Sequence, residues 1–156
     1  KDGYTALHVA ADNKHTEVVK ALVDLGADTN AQDKDGRTAL HLVADKGHTD
    51  MVKALVDKGV DPRALNKDGN SALALAALNG HTQTIKVLVD SGVDMCAPYK
   101  DKQTALHLAA GSGHTETVKA LVGDGADIST MDEYRRTALH LAAVNGHTET
   151  VKALVE

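Results

Sequence analysis

The chain has 156 residues and a net charge of −5, from 17 basic and 22 acidic side chains, so it lacks the basic face of a nucleic-acid-binding surface. Hydrophobic residues make up 42%, ordinary for a folded protein, but Phe and Trp are absent and Tyr occurs three times, so a core must be built in thin layers of Ala, Leu and Val. No stretch approaches the roughly 18–20 apolar residues of a membrane span. The single Cys96 and the lack of an Asn-x-Ser/Thr site point to a reducing, cytoplasmic setting.

One phrase recurs along the chain: Thr5-Ala-Leu-His8, Thr38-Ala-Leu-His41, Ser71-Ala-Leu-Ala74, Thr104-Ala-Leu-His107 and Thr137-Ala-Leu-His140, always 33 residues apart. A second keeps the same step: His15-Thr16, His48-Thr49, His81-Thr82, His114-Thr115 and His147-Thr148. A strict period of this length means one supersecondary unit stacked on itself. The units are 1–33, 34–66, 67–99, 100–132 and a truncated 133–156, and none is more basic than +1.

The second unit shows the predicted elements in order. Thr38 stands as N-cap before Leu40, Val43 and Ala44, whose i, i+3, i+4 spacing marks one helical face, and Gly47 ends that helix. Thr49 is predicted to cap a second helix, with Asp50 in its first turn and Val52, Leu55 and Val56 on its apolar face. Gly59-Val-Asp61 closes it, and a polar stretch leads to a turn at Gly69. Two or three turns of helix do not persist alone in water, so stability must come from burial against neighbouring units. Ala11, Ala44, Ala77, Ala110 and Ala143 share one facing position, and Leu22, Leu55, Leu88, Leu121 and Leu154 another.

The run Asp33-Lys-Asp-Gly36-Arg-Thr-Ala-Leu-His41, followed by Gly47-His48 and Gly59-Val-Asp61, resembles the ankyrin repeat, and the same motifs agree in phase along the whole chain. The family's usual Pro after Thr is Ala in every copy (Ala6, Ala39, Ala72, Ala105, Ala138), a small loss at a first helical position where Pro is favoured but not required. The resemblance implies an all-α fold: an α-solenoid of stacked helix-turn-helix repeats with protruding β-hairpin-like loops, forming one domain over 1–156. It implies histidines that hydrogen-bond backbone in their own and adjacent units. It also implies a non-enzymatic protein-protein interaction module, whose loop tips and first helices line a concave groove.

Matched onto this chain, the groove positions are Lys1, Asp2, Tyr4, Asp12 and Asn13, then Lys34, Asp35, Arg37, Asp45 and Lys46. The later units give Lys67, Asp68, Asn70, Leu78 and Asn79, then Lys100, Asp101, Gln103, Gly111 and Ser112, and last Glu133, Tyr134, Arg136, Val144 and Asn145. The expected contact set is Tyr4, Asp12, Asn13, Arg37, Asp45, Lys46, Asn70, Leu78, Gln103, Tyr134, Arg136 and Val144. Tyr and Arg are the residue types enriched at binding hot spots. Truncating Tyr134 or Arg37 is expected to weaken partner binding and leave folding unchanged, with Glu17 and Lys20 on a second helix as neutral controls.

Other chemistries find little support. The nine histidines form two columns of the repeat and do not converge as a zinc site requires. Cys96-Ala-Pro98 has no neighbouring base, and Gly111-Ser-Gly113 ends a helix instead of following a strand, so neither a nucleophile nor a phosphate loop is read, and no cofactor is implied. A structural spacer cut from a longer array, or an adaptor that targets a linked effector, remains an alternative. The end units keep Val19, Leu22, Leu139 and Val151 without a polar cap, so a monomer with end-to-end contacts is expected. Departures from the repeat mark weak places: Lys14, Lys102 and Arg135 where other units carry Gly, and Ser71 and Ala74 where unit three loses Thr and His.

Overall fold

The computed structural model describes residues 3–156; Lys1 and Asp2, both expected at the groove, lie outside the described residues. Each unit folds as two antiparallel helices. The pairs are α1 (Ala6–Asp12) and α2 (Thr16–Asp24), α3 (Ala39–Asp45) and α4 (Thr49–Asp57), α5 (Ala72–Leu78) and α6 (Thr82–Asp90), α7 (Ala105–Gly111) and α8 (Thr115–Gly123), and α9 (Ala138–Val144) and α10 (Thr148–Val155). Among the described residues there is no strand. The first helices stack into one layer and the second helices into another. The first layer packs more closely, because Ala11, Ala44, Ala77 and Ala110 are all 0% exposed and let those helices approach, and this tighter layer forms the inner side of the stack.

Four of the five first helices open on a reciprocal cap. In Thr5, Thr38, Thr104 and Thr137 the backbone N–H donates to Nδ1 of the histidine three residues on, at 3.1–3.2 Å. That leaves the N–H on Nε2, which donates to the loop carbonyl of the next unit: His8 to Arg37 (2.9 Å), His41 to Asn70 (3.1 Å) and His107 to Arg136 (3.0 Å). These three histidines are each 1% exposed, so every polar atom of the ring needs the partner it has. In unit three Ser71 keeps the cap, accepting from Ala74 N–H at 3.2 Å, but Ala74 has no side chain to reach the next loop.

The second-helix threonines do something the sequence pattern does not suggest. Thr49 is the first helical residue, His48 is the N-cap, and no side chain caps the helix. The Thr49 hydroxyl bonds that of Thr84 in the next unit at 2.8 Å, and Thr82–Thr117 and Thr115–Thr150 repeat the pair at 2.8 Å. Thr84, Thr117 and Thr150 are at most 1% exposed, so each pair is a polar rung inside the second-helix layer.

The junction of units three and four departs from its neighbours in several ways at once. Asp33, Asn66 and Asp132 start their loop turns by accepting two backbone N–H groups on one side-chain oxygen. Tyr99 stands at that position at the end of unit three and cannot do so. Its turn keeps the backbone bond that the sibling turns also make, here Tyr99 N–H to Gln103 O (2.7 Å), but without a side-chain acceptor, and Asp101 and Lys102 are both at φ 58°. Adjacent tips are tied by Lys67 N–H to Asp35 O and by Glu133 N–H to Asp101 O, a tie that Lys100 does not make among the described residues. Among the described residues Tyr99 Oη is buried without a hydrogen-bond partner, and a cavity of about 330 Å³ opens beside its ring and Ser71. Helices α6 and α8 also lie less closely together than the other neighbouring second helices.

A second departure lies at Lys14. Gly47, Gly80 and Gly113 sit at φ between 69° and 76°, and a Cβ on any of them would come within 2.5–2.6 Å of the next unit's histidine ring. The bare backbone lets His81, His114 and His147 donate from Nε2 to Asp45 O (2.8 Å), Leu78 O (2.8 Å) and Gly111 O (3.0 Å). Lys14 occupies the same position at φ 59° with a side chain, and among the described residues His48 makes no such bond. Asp12 O accepts from Lys46 Nζ instead, at 3.0 Å. Lys14→Gly should relieve the left-handed strain and restore the His48 bond, raising stability by about 1 kcal/mol. Urea unfolding of the two chains checks this.

Candidate functional site

The inner side of the stack is built from the last turns of the first helices and the loop tips. Side chains at the helix ends form rungs between units. Lys46 Nζ pairs with Asp12 Oδ1 at 2.6 Å, Asn79 donates to Asp45 Oδ1 at 2.9 Å, and Asn145 donates to Gly111 O at 2.8 Å. Ser112 is too short to reach across to Leu78, so that rung is missing. A recess of about 240 Å³ opens there, lined by Leu78, Gln103, Leu108, Gly111, Ser112 and Arg136 among others.

The tips hold their arginines firmly. Arg37 grips Asp33 with Nε and Nη2, each 2.9 Å from Oδ2, and Arg136 grips Asp132 in the same way at 2.9 and 2.8 Å. The two aspartate side chains are 2% and 0% exposed. Burial alone would raise their pKa, but hydrogen bonds from the arginine backbone and guanidinium outweigh it and hold both below the usual carboxylate range. Arg136 also lies over the Tyr134 ring, 4.9 Å from its centroid, while Tyr134 stays 61% exposed.

At the other end Tyr4 stacks on His8 with centroids 5.2 Å apart and keeps 43% of its surface exposed. Its hydroxyl pKa is raised by desolvation and the Asp12 charge, against the opposing pull of Lys46 and Arg37. Tyr4, Asp12, Arg37 and Lys46 therefore share one electrostatic neighbourhood. Leu78, Gln103 and Arg136 meet in the recess. Asn13 instead donates to Val9 O at the end of its own helix, and Asn70 is held by its backbone, accepting from His41. Val144 is 74% exposed, but it does not line the recess with Arg136. The buried Asp33 and Asp132 were missed by sequence reasoning; their signal was an Asp or Asn at the start of each polar loop, broken only by Tyr99.

Scanned against protein families, the chain matches the family model for ankyrin repeats (three copies) over residues 7–99 and 73–156. The chain belongs to the ankyrin repeat family. A search of curated proteins finds no match. Ankyrin repeats are generally protein-protein interaction modules and typically non-enzymatic. Among the described residues of this ankyrin stack, no helix is long and apolar enough to cross a membrane, and no three His, Cys, Asp or Glu side chains gather as metal ligands would.

The Arg–Asp pairs revise one expectation. Arg37 is not a free surface side chain, so Arg37→Ala should destabilise the ankyrin fold by about 1–2 kcal/mol, because it strips a buried carboxylate of its cation. Two pH limbs follow. His41, whose pKa is lowered chiefly by burial, stays neutral to lower pH in the fold than in the unfolded chain, so stability should decline as pH drops below about 6.5. The contribution of Asp33 and Asp132 is complete above the ordinary carboxylate pKa near 4 and is lost as pH falls through their depressed folded values. Urea unfolding across pH checks both limbs. Asp33→Asn should blunt the acid limb and keep the turn, since Asn66 forms the same one.

Proposed function

We propose that residues 1–156 act as one non-enzymatic domain that presents its concave groove to a protein partner, behaving as a monomer with weak end-to-end contacts. The observation that carries this reading is the state of the exposed anchors. Tyr134 and Tyr4 keep broad faces open to solvent, while Arg136, Arg37 and His8 are fixed beside them by buried hydrogen bonds. A surface ordered before contact loses little conformational entropy on docking. The apolar side chains exposed on the end units, Val18 and Leu25 at one end and Val155 at the other, support stacking against a further repeat or a second copy. In a reducing cytoplasmic setting, the exposed Cys96 remains a thiol under the same reading.

The test is capture of partners from lysate, followed by affinity measurement on the captured protein. Tyr4→Ala or Tyr134→Ala should weaken binding by about 1–3 kcal/mol, as hot-spot truncations do. Glu17→Ala and Lys20→Ala, an exposed ion pair on α2, should leave it unchanged. Loss of binding in the α2 variants, with full binding in both tyrosine variants, would move the site to the convex face.

A further inference from the structure

We propose that the recess across units three to five is a docking subsite for a carboxylate-bearing side chain, glutamate above all, set in an apolar stretch of the partner. The inference rests on the groove reading and names the partner chemistry at one point of it. Two local features open the recess. Gly111 ends α7 where the sibling helices carry Asp12, Asp45, Leu78 and Val144, and helix propensity disfavours glycine there. Packing does not demand it: a Cβ at Gly111 would lie 3.7 Å from the Leu141 Cβ, an ordinary contact. The second feature is the rung missing between Leu78 and Ser112, which leaves the floor open where other units close it with Lys46 or Asn79.

The chemistry of the walls selects the occupant. Leu78, Leu108 and Leu141 supply an apolar floor long enough for an aliphatic stem. The Gln103 amide and Ser112 hydroxyl make no hydrogen bond among the described residues. Arg136 commits Nε and one edge of Nη2 to Asp132, which leaves the outer N–H groups of its five free for a second acceptor. Among the described residues no carboxylate lines the recess, and Arg136 brings a positive charge to it. A glutamate stem covers the leucines while its carboxylate takes the outer edge of Arg136. A lysine would meet the guanidinium, and a plain leucine would leave these donors facing an apolar group.

The test is a titration of the isotopically labelled full chain, followed by backbone amide NMR shifts. The probes are N-acetyl-Leu-Glu-amide and its neutral isostere N-acetyl-Leu-Gln-amide, each up to about 10 mM, a range that reaches the weakest specific contacts. The Glu peptide should shift the Gly111, Ser112 and Asn145 amides saturably. Its half-saturation should come at about ten-fold lower concentration than for the Gln peptide, the margin of a charge-assisted pair over a neutral one. Gly111→Leu should abolish the shifts without unfolding the chain, because Leu78 occupies the same register in unit three. Equal half-saturation for the two peptides, no saturable shift at those amides, or undiminished binding by Gly111→Leu would overturn the proposal. If that happens while Tyr4→Ala and Tyr134→Ala still release the captured partner, the groove reading stands and the recess does not.

Discussion

A helix of seven to nine residues has too few hydrogen bonds to offset the entropy of ordering it, and every helix of this chain is that short. Order must come from the neighbouring unit. Burial of Ala, Leu and Val supplies most of the driving force, but it is non-directional. Direction comes from the imidazoles. With Nδ1 held by the threonine N–H of its own cap, each of His8, His41 and His107 points Nε2 at a loop carbonyl of the next unit and fixes that loop relative to the helix layer.

The groove inherits its rigidity from those bonds. The carbonyls that accept from His8 and His107 belong to Arg37 and Arg136, the residues whose guanidinium groups hold the buried aspartates of the loop tips. One residue thus ties a helix cap, a loop turn and the exposed surface of the loop tip together. Where the pattern lapses, the surface changes with it. Lys14 displaces His48 from its carbonyl, and Lys46 takes over the acceptor at the groove floor. Gly111 and Ser112 drop a rung, and the floor opens into a recess.

The period made the fold legible, because one unit recurring five times at identical spacing leaves one way to bury the apolar faces. Gly47 and Gly59 were readable as helix stops for the same reason, and both sit at positive φ. The strain expected at Lys102 and Arg135 is present, with φ of 58° and 62°. Less legible were features made by residues roughly a repeat or more apart. Thr49 reads as a cap from its local position, yet its partner is Thr84. Arg37 reads as a free anchor although its partner Asp33 is only four residues away, because the burial of Asp33 comes from the fold and not from the local sequence. Unit three reads as weak from Ser71 and Ala74; Ser71 keeps its cap, and the larger departure is Tyr99, whose effect needs the geometry of the turn.

Stability resides in the contacts between units, so the stack must open first where those contacts are missing. At the junction of units three and four an imidazole bond, a loop tie and an aspartate-type turn are absent together, and a buried hydroxyl goes unpaired. Native-state hydrogen exchange in low denaturant tests this most directly. Amides of α7 to α10 should exchange through an opening of lower free energy that leaves α1 to α6 protected, so that the chain behaves as two cooperative blocks. Convergence of the slowest amides of all ten helices on one opening free energy would contradict it.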